Sequence, residues 1–139
     1  MKKLFLAVIA ASMLMAACNS NSSTTASNNT VATADKPIMK FEKETHDFGK
    51  IKQGDIVNYE FKFTNTGKSP LIITGAQASC GCTTPEWPKE PIKPGENGSI
   101  KVTFNSKGKM GLQDKQILVT ANTNPAQNIV HLIGEVKLN

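Results

Sequence analysis

From Ile38 onward the apolar residues recur with a period of two, and turn-forming residues interrupt them about every ten positions. Val57, Tyr59, Phe61 and Phe63 alternate with Asn58, Glu60, Lys62 and Thr64, so one face of this strand meets a core and the other meets water. Asn65-Thr66-Gly67 ends it as a turn, and Leu71 to Ala78 resumes as a more apolar strand after Pro70. Pro94-Gly95-Glu96-Asn97-Gly98 is a second turn signal, followed by Ile100, Val102 and Phe104 alternating with Lys101, Thr103 and Asn105. An early strand around Met39 to Glu42 and longer ones over Leu112 to Ala121 and Ile129 to Leu138 complete the set. In the last, Val130, Leu132, Val136 and Leu138 share one parity while Ile129 and Ile133 take the other, which predicts partial cover on both faces. No stretch combines helical periodicity, capping and length. Six or seven short strands in about 100 residues predict an all-β fold, an immunoglobulin-like antiparallel β-sandwich of about seven strands. The Cys…Trp…Cys spacing of antibody domains is missing, which points to the cysteine-free branch of that architecture.

The strand pattern covers only residues 36–139, and the segment before it reads differently. Lys2 and Lys3 precede an apolar run from Leu4 to Ala17, broken only by Ser12, which is too short to span a bilayer as a helix and reads as an export signal. Its end, Met15-Ala16-Ala17-Cys18, resembles the lipobox of bacterial lipoproteins, with Met15 where Leu is usual; the resemblance implies cleavage before Cys18 and acylation of its thiol. Asn19 to Ala34 is built almost entirely from Ser, Thr, Asn and Ala, a composition that cannot offset its own ordering entropy, so residues 18–35 are expected to form a lipidated cysteine and a polar tether. Treated as a coil, the tether reaches about 20–25 Å. Asn19 rather than Asp follows Cys18, and no acid occurs before Asp35. By resemblance to Gram-negative sorting rules, this implies the periplasmic side of the outer membrane.

Charge adds little to this picture. The formal charge of +5 comes entirely from lysines, two of which leave with the signal, and they are dispersed. Arginine, the usual bidentate reader of phosphates and bases, is absent from the chain, so nucleic acid is not an expected partner. One folded unit of about 100 residues can build a core without a disulfide framework, so the three cysteines are not read as staples.

Several phrases carry a family resemblance: His46-Asp47-Phe48-Gly49, Phe61-Lys62-Phe63-Thr64-Asn65-Thr66-Gly67, Ser79-Cys80-Gly81-Cys82-Thr83-Thr84-Pro85, and Ile92-Lys93-Pro94-Gly95 ahead of a strand. Together, over Phe41 to Val136, they resemble the bacterial domain-of-unknown-function family numbered 1573, related to Hydin-type immunoglobulin-like domains. The resemblance implies a β-sandwich in an envelope-associated or secreted protein, and no activity.

Candidate chemistry concentrates between Cys80 and Pro94. In an extended Cys80-Gly81-Cys82 both side chains share one face near the upper distance limit for a disulfide, so a direct bridge requires a bend at Gly81. Three readings stay open: a tight, easily reduced and redox-active disulfide; a thiolate pair for a soft metal, copper or zinc with added ligands; and a structural bridge or small packed residues at a loop root. His46, beside Asp47, reads mainly as a turn residue and secondarily as a neighbour of the thiols. His131, mid-strand between apolar neighbours, reads as a packed or hydrogen-bonded imidazole rather than a ligand. Pro85, Pro88, Pro91 and Pro94 recur every three residues, the period of a polyproline II helix, which would align their rings beside Trp87. The functional reading is a stiff partner-binding surface anchored by Trp87; the bland one is a crossover loop with Trp87 folded over the core. No triad, phosphate loop or paired carboxylates accompany these residues, so the expected role is a non-catalytic binding or structural module for another envelope protein or a glycan, without a required cofactor. The alternative is a periplasmic redox or metal-handling protein built on Cys80 and Cys82.

The anchoring part of this reading has a direct check. Cys18→Ala is expected to move the protein from the membrane fraction to the soluble fraction; retention at the membrane would contradict acylation of Cys18.

Overall fold

A computed structural model describes residues 35–138. The export signal, Cys18 and the tether as far as residue 34 lie outside the described residues. The elements are β1 (Met39–Phe41), β2 (Thr45–Lys52), β3 (Ile56–Asn65), β4 (Ile73–Ala78), β5 (Thr83–Glu86), β6 (Asn97–Asn105), β7 (Gly111–Ala121) and β8 (Gln127–Lys137). They form two four-stranded sheets, β1-β3-β6-β5 and β2-β8-β7-β4, and no α-helix occurs among the described residues. The architecture is the all-β sandwich that the alternation predicts.

Two strands depart from the expected set, and both are edges. β2 runs parallel to β8, so the sandwich is not wholly antiparallel. Only three residues separate β1 from β2, and in them the chain passes from one sheet to the other. The residues of β2 read as a turn because their alternation is broken. A register shift falls between Asp47 and Lys50, where Gly49 has φ 74° and its N–H donates to Asp47 Oδ1 at 2.7 Å. The bulge allows Phe48 and Ile51, three positions apart, both to pack against the core. β5 is four residues long and contains Pro85, which pairs with Val102 on an edge where a missing N–H costs no ladder bond.

The core is the inward parity of both sheets. Phe61, Phe63, Ile100, Val102 and Phe104 come from one sheet and Ile117, Val119, Val130, Leu132 and Val136 from the other; none of them is more than 1% exposed. On β8 the parity 130, 132, 136 faces in, while Ile133 is half-buried and Ile129 is 42% exposed, so the outer face is covered only in part. The missing inward side chain at Gly134 is filled from β2: a Cβ there would overlap the Phe48 ring.

One end of the sandwich is tied by a buried amide. Asn65, fully buried, donates from Nδ2 to Ser69 O and Ile92 O, both at 2.9 Å, and accepts at Oδ1 from Gly67 N at 3.0 Å and Ile38 N at 3.3 Å. Its backbone closes the count, with Asn65 N donating to Glu96 O and Gly95 N to Asn65 O. A single residue thus joins the approach to β1, the β3–β4 turn, the Leu71–Ile92 bridge and the turn before β6. That last turn has Pro94 followed by Gly95 at φ 81°, and Glu96 N donates back to Lys93 O.

Asn65→Asp preserves shape but turns two donors into acceptors facing carbonyl oxygens, and is expected to cost about 3 kcal/mol or more in urea unfolding. Gly134→Ala is expected to cost about 1–3 kcal/mol through overpacking, and Gly134→Ala combined with Phe48→Ala should lose less than the sum of the two.

Candidate functional site

β4 is the edge of one sheet and β5 the edge of the other, and the chain passes between them in Ser79–Cys82. Ser79 N donates to Gln116 O at 2.9 Å, continuing the β4–β7 ladder, and Asn105 N donates to Cys82 O at 2.9 Å, beginning the β5–β6 ladder. Between these anchors Thr83 N donates to Cys80 O at 3.2 Å and closes a turn with Gly81 and Cys82 at its centre. This supplies the bend that a direct bridge requires. Cys80 and Cys82 form a disulfide with their Cα atoms 5.3 Å apart.

Both cysteines are half-buried, whereas Thr83 beside them is 4% exposed. The Thr83 hydroxyl lies 3.7 Å from Cys80 Sγ and 3.9 Å from Cys82 Sγ. On the outer side, Cys82 lines an open groove with Ile56, Gly81, Thr84, Thr103, Asn105 and Lys107. Sulfur atoms bonded to each other offer no thiolate to a metal, and among the described residues no three His, Cys, Asp or Glu side chains gather in a metal-holding group.

His46 does not join the thiols. It lies on β2, and β8 and β7 stand between β2 and β4, which puts it about 14 Å away at ordinary strand spacing. Its ring instead stacks on Tyr59, with centroids 3.5 Å apart and planes within 6°. Burial of the ring, helped by the Lys43 charge and opposed by Asp47, holds its pKa below the ordinary histidine value. His131 is hydrogen-bonded, as one of the two readings expects: its Nδ1 lies 2.9 Å from Asp114 Oδ1 on the outer face of β7 and β8.

The four prolines do not line one polyproline helix. Pro85 belongs to β5 and Pro94 to the turn before β6, so only Pro88 and Pro91 remain in the connecting segment. Ladder bonds to β6 capture the first of the four and the Gly95 turn the last. Trp87 continues the inward parity of Thr83 and Pro85 and packs partly against the core, as the bland reading expects. It is also half-exposed: Lys89 Nζ sits 3.2 Å from its ring centroid, and the indole walls two surface clefts. One cleft is lined by Glu86, Pro88, Ser99 and Lys101, the other by Thr74, Ala76, Gln77, Leu118 and Thr120.

Lys115 was not singled out by the sequence, in which the lysines stand only as dispersed charge. It shares the parity of Ile117 and Val119, and its Nζ lies 5.4 Å from the Phe104 ring centroid at the disulfide end. Burial chiefly, with the charge of Lys109, lowers its pKa against the opposing effect of Asp114. Its place in the alternation was the available signal.

A family model described as "Protein of unknown function (DUF1573)" matches residues 39–136. No curated protein matches the chain. Among solved structures, the chain is similar to a protein of unknown function from Porphyromonas gingivalis W83, with a TM-score of 0.65 and 17% identity over 77% of this chain and 51% of that one. It is also similar to the VesB protease of Vibrio cholerae, with a TM-score of 0.56 and 14% identity over 71% of this chain and 31% of that one. The ASH / PapD-like domain of human CEP192 (PapD-like domain 7) matches with a TM-score of 0.55 and 10% identity over 96% of this chain and 99% of that domain. The chain thus spans about half of the Porphyromonas protein and about a third of the protease. At these identities the likeness shows the immunoglobulin-like fold alone.

A histidine whose pKa is lowered on folding binds its proton more tightly in the unfolded chain. Its stabilising effect is therefore complete above the unfolded value of about 6.5 and is lost as pH falls through the lower folded value. His46→Phe keeps a ring on Tyr59 without the titration. Between about pH 7.5 and about pH 5, wild type is expected to lose more unfolding free energy than His46→Phe; parallel losses would contradict this.

Proposed function

Given that the chain belongs to this family of proteins of unknown function, we propose that it is a lipid-anchored protein of the bacterial envelope with a non-catalytic binding module, engaging another envelope protein or a glycan along the β4–β5 edge. One observation carries the reading. The described chain begins at the β1 edge, and β1 and β2 lie at the opposite margins of their sheets from β5 and β4. A sandwich held through its N-terminal side therefore points the β4–β5 edge away from its attachment, about 14 Å across the sheet.

On that distal edge sits the half-exposed Trp87, a side-chain type that supplies large, rigid contact area at interfaces. Pro85, Pro88 and Pro91 flank it with a backbone of restricted φ, which reduces the ordering cost of binding. Anchoring rests on the lipobox-like Met15-Ala16-Ala17-Cys18, and placement on the periplasmic side of the outer membrane rests on Asn19 and the acid-free tether. The tether's reach of about 20–25 Å would hold the sandwich clear of lipid head groups.

Photo-crosslinking residues placed at Gln77 or Lys89 are expected to give discrete adducts in intact cells, while the same residues at Lys50 or Lys52 on the opposite edge give none. Trp87→Ala should cut the adduct yield at Gln77 by about tenfold. Equal labelling from both edges, or adducts indifferent to Trp87, would contradict the reading.

A further inference from the structure

We propose that Cys80–Cys82 is a reversible thiol–disulfide exchange site, with Thr83 as a positioning residue that favours the reduced state and a protein dithiol as its reaction partner. This goes beyond the binding edge and does not depend on it.

Three observations converge. First, the disulfide is not needed to hold its own turn. It closes a loop of three residues, and so constrains the unfolded chain very little. The flanking residues are fixed by backbone bonds from Ser79 N to Gln116 O, Thr83 N to Cys80 O and Asn105 N to Cys82 O. These bonds survive reduction, so the two thiols stay adjacent and can reoxidise.

Second, Thr83 is buried at 4% exposure, and among the described residues the only partners of its hydroxyl are the two sulfur atoms, at 3.7 and 3.9 Å. Disulfide sulfur is a weak acceptor, so this buried hydroxyl is poorly satisfied in the oxidised state. A thiolate at the same place is a charged, far stronger acceptor. The hydroxyl therefore interacts more favourably with the reduced pair than with the oxidised one.

Third, a partner has a route to the pair. Cys82 lines an open groove with Ile56, Thr84, Thr103 and Lys107, where an incoming thiolate can approach. The partner's thiolate attacks Cys82 Sγ; the new S–S bond joins the partner to Cys82, and the Cys80–Cys82 bond breaks with its electron pair going to Cys80 Sγ. Thr83 Oγ1 donates its hydrogen bond to that leaving thiolate. The partner's second thiolate then attacks its own sulfur in the mixed disulfide and releases Cys82 as thiolate. Cys82 takes up one of the two protons lost by the partner's thiols, the other passes to solvent, and Cys80 stays a thiolate held by the Thr83 hydroxyl. The net change is a two-electron reduction of Cys80–Cys82 and oxidation of the partner dithiol to a disulfide. In the reverse direction the reduced pair reduces a partner disulfide.

The test uses the full chain in detergent, equilibrated in mixtures of reduced and oxidised dithiothreitol, with alkylation and peptide mass mapping of Cys80 and Cys82. The wild-type pair is expected to reduce while the far-ultraviolet circular dichroism of the sandwich is unchanged. Thr83→Val should shift the equilibrium toward the disulfide by about tenfold, the factor expected for loss of one hydrogen bond to a charged group, and Thr83→Ser should restore it. Reduction only on unfolding, identical equilibria for wild type and Thr83→Val, or failure of Thr83→Ser to restore would each overturn the proposal. In wild type, the mixed disulfide trapped with glutathione is expected on Cys82. Trapping on Cys80 would overturn the direction of attack, and this measurement decides the matter if Thr83→Val does not fold.

Discussion

Between β4 and β5 the chain changes sheets in four residues, and the placement of everything of chemical interest follows from that short crossing. A connection of this length forces the edge of one sheet to lie directly over the edge of the other. Ladder bonds at Ser79 and Asn105 fix both ends of it, which leaves Cys80, Gly81 and Cys82 to make the bend at the surface. The inward parity that starts at Thr83 then carries through Pro85 to Trp87, so the indole closes the open flank of the core. At the other end of the sandwich, the Asn65 side chain performs the matching task by joining the loops that the strands leave behind. The two ends are secured by different means: one by a buried, fully paired amide, the other by a backbone turn that carries a disulfide.

All four edge strands are managed in ways that discourage uncontrolled pairing. β1 has three residues, β2 a bulge at Gly49, β4 an irregularity between Ile73 and Gly75, and β5 four residues with a proline. On the β4–β5 flank the Trp87 ring also walls two clefts, one on either side of it. The exchange site and the proposed binding edge share this flank but occupy different parts of it. Thr83 pairs with Phe104 near the disulfide, whereas Glu86, just before Trp87, pairs with Lys101 further along β6. Each can therefore be tested without disturbing the other.

How much of this was legible depended on whether a residue's role was expressed in alternation. Val57 to Thr64 and Ile100 to Asn105 are strictly alternating and paired, and both were readable as half-buried strands. β2 was not, because a bulge resets its parity between Phe48 and Ile51, and β5 was not, because four residues containing a proline carry no usable period. Asn65 looked like a turn residue and is the best-connected buried side chain of its end, since hydrogen-bond partners brought together by tertiary structure leave no local mark. Lys115 and Gly134 sit on inward parities and contradict their own residue types; the explanations, Phe104 and Phe48, come from distant strands. The pairing of Cys80 with Cys82 stood among the readable alternatives, but the buried Thr83 hydroxyl beside it required the turn to be seen.

The central claim is that the β4–β5 flank meets the partner while the β1–β2 flank faces the attachment. Amide hydrogen exchange, compared between the purified chain and the chain in native outer-membrane vesicles, tests it most directly. The account predicts slower exchange in the envelope for Ile73–Ala78 and Thr83–Trp87 and unchanged exchange for Thr45–Lys52. Protection confined to Thr45–Lys52, or spread evenly over both flanks, would contradict it.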